Sequence, residues 1–115
     1  MRQSPFVTAT TTETFNAQVL DREGPVVVDF WASWCGPCIR LAPVFEELAR
    51  EMPAVQFVKV DVDAEPALAQ RFSITSIPTL KLFHAGELVE SHVGALGKPQ
   101  LRETIERTFN LRATA

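Results

Sequence analysis

The sequence predicts an α/β domain in which helices flank a central mixed parallel and antiparallel sheet, in the order β-α-β-α-β-α-β-β-α. Three observations support this class. Residues 26–31 are apolar at nearly every position, which is typical of a central parallel strand covered on both faces. A long segment with one apolar helical face follows them. Near the C-terminus, two strand-like segments joined by Ala85-Gly86 predict an antiparallel hairpin.

Composition indicates a single folded domain spanning residues 1–115, with its core at about 6–109 and short extensions at both ends. The chain has 115 residues, of which 46% are hydrophobic and 22% charged. A net charge of −3 disfavours nucleic acid and anionic membranes as partners. The N-terminal region has no long apolar run, so we expect neither a secretory signal nor a membrane span. We expect a monomer. We expect it in the cytoplasm, because cysteines stay reduced in that compartment.

The N-terminal elements are predicted from short-range signals. Residues 6–8 indicate a short edge strand. Thr10 followed three residues later by Glu13 resembles a capping box, which predicts that a helix begins there. Its expected inward positions are Phe15, Val19 and Leu20. Residues 21–25 then form a turn that leads into the central strand.

The remaining elements follow from apolar periodicity and from proline and glycine positions. They are a helix from the cysteines to about Glu51, a strand at 55–62, a helix at 64–72, strands at 80–84 and 88–93, and a last helix from Pro99. Inward positions of the last helix are Leu101, Ile105, Thr108 and Phe109. Proline inside the first turn of each helix is compatible with helix initiation, because the proline nitrogen has no hydrogen to leave unpaired.

Both cysteines of the chain, Cys35 and Cys38, lie at the predicted start of the long helix. Counting from Cys38, one apolar face continues through Leu41, Ala42, Phe45, Leu48, Ala49 and Met52. Cys38 should therefore be buried, whereas Cys35 should lie at an exposed mouth. There, free backbone N–H groups and the helix dipole favour a thiolate. We expect Cys35 to attack a disulfide and Cys38 to resolve the product.

Two other functions of the cysteine pair are less well supported. A structural disulfide across so short a loop would contribute roughly 2 kcal/mol through unfolded-state entropy, against ~3 kcal/mol for a fifteen-residue loop. A zinc site needs about four ligands, and the other soft candidates are His84 and His92, whose spacing fits no common finger. We therefore favour redox chemistry and expect no metal.

A carboxylate in the most apolar strand admits two interpretations. Alternation places Asp29 on the same face as Val27 and Trp31. It is either an acid near a strand end that reaches water, or a buried acid beneath the dithiol whose pKa is raised by desolvation. The second case would supply a proton acceptor near neutral pH. Lys59, in the next predicted strand, is either a snorkelling edge lysine or the partner of Asp29.

Several motifs together resemble the thioredoxin family over nearly the whole chain, from about residue 6 to 109. They are the run Val-Asp-Phe-Trp-Ala-Ser-Trp-Cys-Gly-Pro-Cys at 28–38, Ala42-Pro43, Lys59-Val60-Asp61, Ile77-Pro78-Thr79 and Val93-Gly94. The resemblance implies the thioredoxin fold and a general protein-disulfide reductase with a redox-active Cys35–Cys38 disulfide. It also implies disulfide-containing protein substrates and re-reduction by a thioredoxin reductase that uses NADPH, with no cofactor bound to this chain.

Site residues follow from the resemblance position by position. Cys35 corresponds to the nucleophile and Cys38 to the resolving thiol, Asp29 to the acid that helps deprotonate Cys38, Lys59 to its neighbour, and Pro78 to a cis-proline facing the dithiol. The implied substrate-binding surface consists of Trp34, Gly36, Pro37, Ile77, Gly94 and Ala95. The backbone of Ile77 would pair with an extended substrate segment.

Two positions depart from the commoner family pattern. Ile39 stands where a basic residue often follows the second cysteine, although Arg40 comes next, and Phe72 stands where tyrosine is frequent. Two rival functions remain at this point. One is an oxidase or isomerase of secreted proteins, although such relatives usually carry histidine between the cysteines. The other is a binding or chaperone subunit of a larger complex.

Overall fold

The computed structural model describes residues 4–111, so the outermost parts of both predicted extensions lie outside the described residues. The strands are β1 (Val7–Ala9), β2 (Pro25–Trp31), β3 (Gln56–Asp61), β4 (Thr79–His84) and β5 (Glu87–Val93). The α-helices are α1 (Gly36–Glu51), α2 (Pro66–Arg71) and α3 (Lys98–Phe109), and a π-helical segment covers Asn16–Leu20. The predicted α/β class is confirmed. Within residues 4–111, no helix combines the length and apolarity needed to cross a membrane.

One mixed sheet carries the strands in the order β1-β3-β2-β4-β5. Strands β1, β3 and β2 run parallel to one another, whereas β4 is antiparallel to β2 and β5 is antiparallel to β4. Strand β2 therefore lies at the centre, as its two apolar faces predicted. The chain leaves the carboxyl end of β2 and enters α1 almost at once, which places the cysteine pair at that edge of the sheet.

Alternate residues of β2 supply two separate cores on opposite faces of the sheet. Val27 joins the core beneath α1 and α3, which also contains Leu41, Phe45, Leu48, Phe57, Leu80, Leu101 and Ile105. Val26, Val28 and Phe30 join the other core with Phe15, Val19, Val58, Leu68 and Phe83. Each fully buried large apolar side chain contributes about 1.5–3 kcal/mol by leaving water. The two cores hold the central strand rigidly beneath the dithiol.

The predicted capping box at Thr10 and Glu13 is wrong. The reciprocal bonds join Thr11 and Thr14 instead: Thr11 N–H donates to Thr14 Oγ1 at 2.9 Å, and Thr14 N–H donates to Thr11 Oγ1 at 3.2 Å. Thr10 is buried and Glu13 is exposed. The helical segment that follows is a single π-helical stretch rather than a regular α-helix. Of the expected inward positions, Phe15 and Val19 are fully buried and Leu20 is partly buried.

The long helix begins one residue after Cys35, which occupies the N-cap position. Its buried residues are Cys38, Leu41, Phe45, Leu48 and Ala49, which is the face predicted by periodicity. Met52 is also buried, just beyond the end of the helix. Helix α1 continues through Pro43, and α3 begins at Lys98. Leu101 and Ile105 are the buried residues of α3.

Candidate active site

Cys35 and Cys38 form a disulfide at the N-terminus of α1, with Cα atoms 5.2 Å apart. Strand β2 ends at Trp31, and a short turn brings Cys35 N–H to the carbonyl oxygen of Ala32 at 3.2 Å. Trp31, Ala32 and both cysteines make one small buried cluster. The sulfur pair is therefore fixed between the end of the central strand and the first turn of the helix.

The environments of the two sulfur atoms differ. The backbone N–H of Cys38 donates a hydrogen bond to Cys35 Sγ at 3.2 Å. Cys35 Sγ also lies 3.7 Å from the carbonyl oxygen of Ile77. A hydrogen-bond donor and the positive end of a helix dipole both stabilise negative charge. They act on the sulfur of Cys35, which favours a thiolate there when the pair is reduced.

The expectation that Cys35 lies at an exposed mouth is wrong in this disulfide form. Cys35 exposes 5% of its surface and Cys38 exposes none. Trp31, Ala32 and Ile77 pack against the pair and cover most of the first sulfur. The residues around it, Trp34, Gly36 and Pro37, are exposed. These three residues are the exposed chain neighbours of Cys35, beside which an incoming disulfide can approach.

Asp29 is buried completely in the middle of β2. Within residues 4–111, neither of its carboxylate oxygens has a hydrogen-bond partner. Burial raises its pKa from 3.8 to about 7, and the nearby positive charge of Lys59 opposes that rise. The interpretation of Asp29 as a water-reaching acid is therefore wrong. The group is poised to exchange a proton near neutral pH.

Lys59 lies directly beside Asp29 in the parallel register of β2 and β3. Strand β3 is internal, with β1 and β2 on either side, so the interpretation as an edge lysine is wrong. The side chain is 7% exposed, and its Nζ lies 6.0 Å from the centroid of the Trp31 ring, a weak cation–π contact. It lines a cavity of about 310 Å³ that also includes Asp61 and Glu65.

Three predicted site residues, Ile77, Pro78 and Gly94, are connected opposite the dithiol. The peptide bond between Ile77 and Pro78 is cis, and Pro78 is buried. The N–H of Gly94 donates to the carbonyl oxygen of Pro78 at 2.8 Å. Gly94 has φ +104°, a conformation that side-chain-bearing residues rarely adopt, and the neighbouring Ala95 is exposed. Ile77, the buried Pro78 and Gly94 are thus connected, and Ile77 packs against Cys35.

Trp34 is 69% exposed, yet its orientation is fixed. Its indole Nε1–H donates to Asp63 Oδ2 at 2.8 Å. With Ile77 it lines an open groove of about 270 Å³ whose other apolar walls are Val62, Pro66, Ala69 and Ile74. Asp63 is not predictable as a site residue from the sequence, because an exposed aspartate after a strand carries no local signal of this contact. The groove extends the predicted substrate surface away from the sulfur atoms.

Residues 4–111 contain no cluster of three or more His, Cys, Asp or Glu side chains that could hold a metal ion. The polar groups at the site include the sulfur pair, the buried Asp29 and Lys59, and backbone donors and acceptors. These groups suffice for thiolate attack, proton transfer and binding of an extended chain. A disulfide at the N-terminus of a helix that follows the central strand of a mixed sheet, facing a cis-proline segment, defines an α/β thiol–disulfide oxidoreductase.

Comparison with known proteins gives the family. The thioredoxin family model matches residues 6–107. The chain is 46% identical to thioredoxin 1 of Nostoc sp. over 98 residues, which cover 84% of this chain and 92% of that protein. It is 47% identical over 104 residues to thioredoxin of Mycolicibacterium smegmatis, covering 88% and 93%. It is also 46% identical over 107 residues to thioredoxin C-2 of Corynebacterium nephridii, covering 92% and 99%.

The chain belongs to the thioredoxin family, and the predicted resemblance and fold are confirmed. It is a protein-disulfide oxidoreductase that acts by thiol–disulfide exchange through the Cys35–Cys38 pair. Disulfide-containing proteins are the substrates that the family implies, and the family normally needs no cofactor.

Proposed function

We propose that the protein is a general reductase of protein disulfides in which Cys35 is the attacking thiolate and Cys38 the resolving thiol. The observation that carries the proposal is the hydrogen bond from Cys38 N–H to Cys35 Sγ at 3.2 Å. A donor aimed at one sulfur stabilises its anion, which makes that sulfur the better nucleophile at neutral pH. Cys38 is fully buried, which suits a thiol that attacks only inside the complex.

The exchange transfers two electrons from the protein dithiol to the substrate. The Cys35 thiolate attacks one sulfur of the substrate disulfide, whose S–S bond breaks, and the leaving sulfur takes a proton. A mixed disulfide joins Cys35 to the substrate. Cys38 then loses its proton and attacks Cys35 Sγ, which releases the second substrate sulfur as a thiol. The protein ends with the Cys35–Cys38 disulfide, and the substrate ends with two thiols.

Asp29 accepts the proton of Cys38 in this scheme. A base works best when its pKa lies near the working pH, and burial brings Asp29 to about 7. Lys59 tunes the same group, because its positive charge lowers the pKa that desolvation raises. Without this cation, Asp29 would stay protonated to a higher pH and would accept the proton less readily.

The substrate binds as an extended segment against the exposed rim of the site. The backbone of Ile77 supplies hydrogen bonds of the β-augmentation type, and Pro78 holds that backbone beside Cys35. The surrounding surface comprises Trp34, Gly36, Pro37, Gly94 and Ala95, all at least partly exposed. Backbone pairing is independent of side-chain identity, which suits a reductase of many proteins.

We further propose that a thioredoxin reductase drawing on NADPH restores the dithiol, so that this chain binds no cofactor itself. Such a cycle belongs in a reducing compartment, for which we propose the cytoplasm. We propose that residues 1–115 form a single-domain monomer that contacts proteins rather than nucleic acid or membranes. The net charge of −3 supports that choice of partner.

Turnover tests the proposal. Wild-type protein, NADPH and a thioredoxin reductase should reduce a protein disulfide with continuous NADPH consumption, whereas Cys35→Ser and Cys38→Ser should not turn over. If the protein is a binding or chaperone subunit, both variants should keep their affinity for the partner, and the wild-type protein should show no turnover. An oxidase or isomerase would instead form or rearrange disulfides in a reduced or scrambled substrate faster than it reduces the native one. Either result would overturn the reductase assignment.

A further inference from the structure

Arg40, one turn into α1, has its side chain directed back toward the first residue of the helix. A Cβ placed on Gly36 would lie 3.5 Å from Nη1 of Arg40. Gly36 directly follows Cys35 and is exposed. The guanidinium of Arg40 therefore lies against the backbone between the two cysteines, on the side from which a substrate approaches.

No carboxylate in the described part of the chain engages this guanidinium. Within residues 4–111, Arg40 takes part in no ion pair, and its side chain is exposed. Some other cations have partners: Lys98 and Arg102 pair with Glu51, Arg71 lies over Phe15 and Phe72, and Lys81 donates to Ser91. Arg40 instead presents its hydrogen-bond donors to solvent beside Gly36, the residue that follows Cys35.

The neighbouring surface is apolar. Ile39, which separates Cys38 from Arg40, is 47% exposed, and Trp34 and Val93 are 69% and 61% exposed. The carboxylate of Asp63 accepts the indole N–H of Trp34. A segment bound at the rim would meet mostly apolar side chains and one unpaired positive charge, that of Arg40.

We propose that Arg40 is a specificity-determining residue that favours protein disulfides with a carboxylate side chain next to the reacting half-cystine. The inference rests on the proposed reductase function. A guanidinium binds a carboxylate through two parallel hydrogen bonds, which a neutral or basic side chain cannot match. Because the contact is solvent-exposed, its expected effect is about two- to fivefold in second-order rate. The contact between Arg40 and the substrate carboxylate acts in addition to the backbone pairing at Ile77.

The experiment uses full-length, pre-reduced protein and three peptide disulfides that differ only in the residue preceding one half-cystine: Glu, Gln or Lys. The rate of peptide reduction is measured by quenched mass analysis, without a reductase. Wild type should reduce the Glu peptide fastest and the Lys peptide slowest, with the Gln peptide between them. Added salt should make these rate differences smaller. Arg40→Ala should abolish the order, and Arg40→Lys should restore part of it. Arg50→Ala, at the exposed far end of the same helix, is the matched control and should keep the full order.

Each contrary outcome has a distinct meaning. If wild type reduces no peptide, the proposed function itself fails. If wild type reduces all three peptides at one rate, or if the order survives Arg40→Ala, Arg40 does not select substrates. If Arg40→Ala slows all three peptides equally and raises the pH midpoint of Cys35 alkylation, Arg40 acts on the thiolate, which also overturns the proposal. Thermal unfolding of each variant identifies a rate change that comes from misfolding.

Discussion

Asp29 and Lys59 lie side by side on the two innermost parallel strands, yet burial outweighs their attraction and leaves Asp29 with a pKa raised to about 7. A fully paired aspartate would have a pKa below its ordinary value. The net rise means that the fold tolerates a carboxylate that is costly to ionise. A group with these properties is suited to proton transfer, and it makes stability depend on pH.

The first prediction concerns Asp29→Asn. The difference between 3.8 and about 7 corresponds to about 4 kcal/mol of destabilisation once the acid is ionised. Because the folded-state pKa is raised, this penalty is absent below about pH 4, grows between the two values and levels off above about pH 7. The amide still needs buried partners, which costs about 1–3 kcal/mol. We expect a net gain of about 1–3 kcal/mol at about pH 7.5 and a net loss of about 1–3 kcal/mol at about pH 4, where only the cost of the buried amide remains.

Urea denaturation of the oxidised protein at the two pH values measures this gain, and stopped-flow reduction of a test disulfide should show a slower resolving step. Glu23→Gln, on an exposed turn, is the control and should change neither quantity. A stability difference between wild type and Asp29→Asn that stays constant with pH would show that ionisation of Asp29 is not the cause.

The second prediction concerns the division of labour between the sulfur atoms. Cys38→Ser should accumulate mixed disulfides through Cys35, because attack proceeds but resolution cannot. Cys35→Ser should accumulate few, because Cys38 is fully buried and receives no comparable stabilisation of its thiolate. Mass spectrometry of each variant after incubation with a protein disulfide measures the trapped fraction. Equal trapping by the two variants would contradict unequal roles.

A third prediction compares two glycines. At each of Gly94 and Gly24 an added Cβ would meet no atom within 4 Å, but Gly94 has φ +104°. Gly94→Ala should destabilise the protein by about 1–3 kcal/mol through backbone strain and weaken substrate binding. Gly24→Ala should be neutral or stabilise by up to about 1 kcal/mol, because alanine restricts the unfolded chain. Denaturant titration measures the change in stability, and the KM for a peptide disulfide measures the change in substrate binding. If the two variants are equally stable, the positive φ at Gly94 does not strain an alanine there.

The fourth prediction concerns the hydrogen bond between Trp34 and Asp63. Asp63→Ala removes the acceptor of the indole N–H, so the exposed ring should sample more orientations. We expect a loss of about two- to tenfold in kcat/KM, which corresponds to the net contribution of about 0.5–1.5 kcal/mol of an ordinary hydrogen bond, and little change in stability. Fluorescence anisotropy decay should detect the freer ring. Glu46→Ala, on the exposed face of α1, should have no effect; an unchanged rate in Asp63→Ala would show that ring orientation does not matter.

Local sequence signals predicted most elements because their causes are local. The apolar face of α1 and the proline in its first turn fix that helix, and the apolar residues of β2 fix the central strand. The first helix was mispredicted because Thr11 and Thr14 compete with Thr10 and Glu13 for the same cap. Local pattern alone does not rank these alternatives.

Local patterns in the sequence were enough to predict the α/β class, the cysteine pair at a helix start, and the family resemblance. The solvation of each polar group could be read only from the folded chain. Strand order placed Lys59 inside the sheet and beside Asp29, and distant segments brought Ile77 against Cys35 and Asp63 against Trp34. Exposure and pKa depend on neighbours that are remote along the chain, because desolvation and Coulomb attraction act through space. Packing with Trp31, Ala32 and Ile77 is why Cys35 is more buried than its position at the helix end predicted.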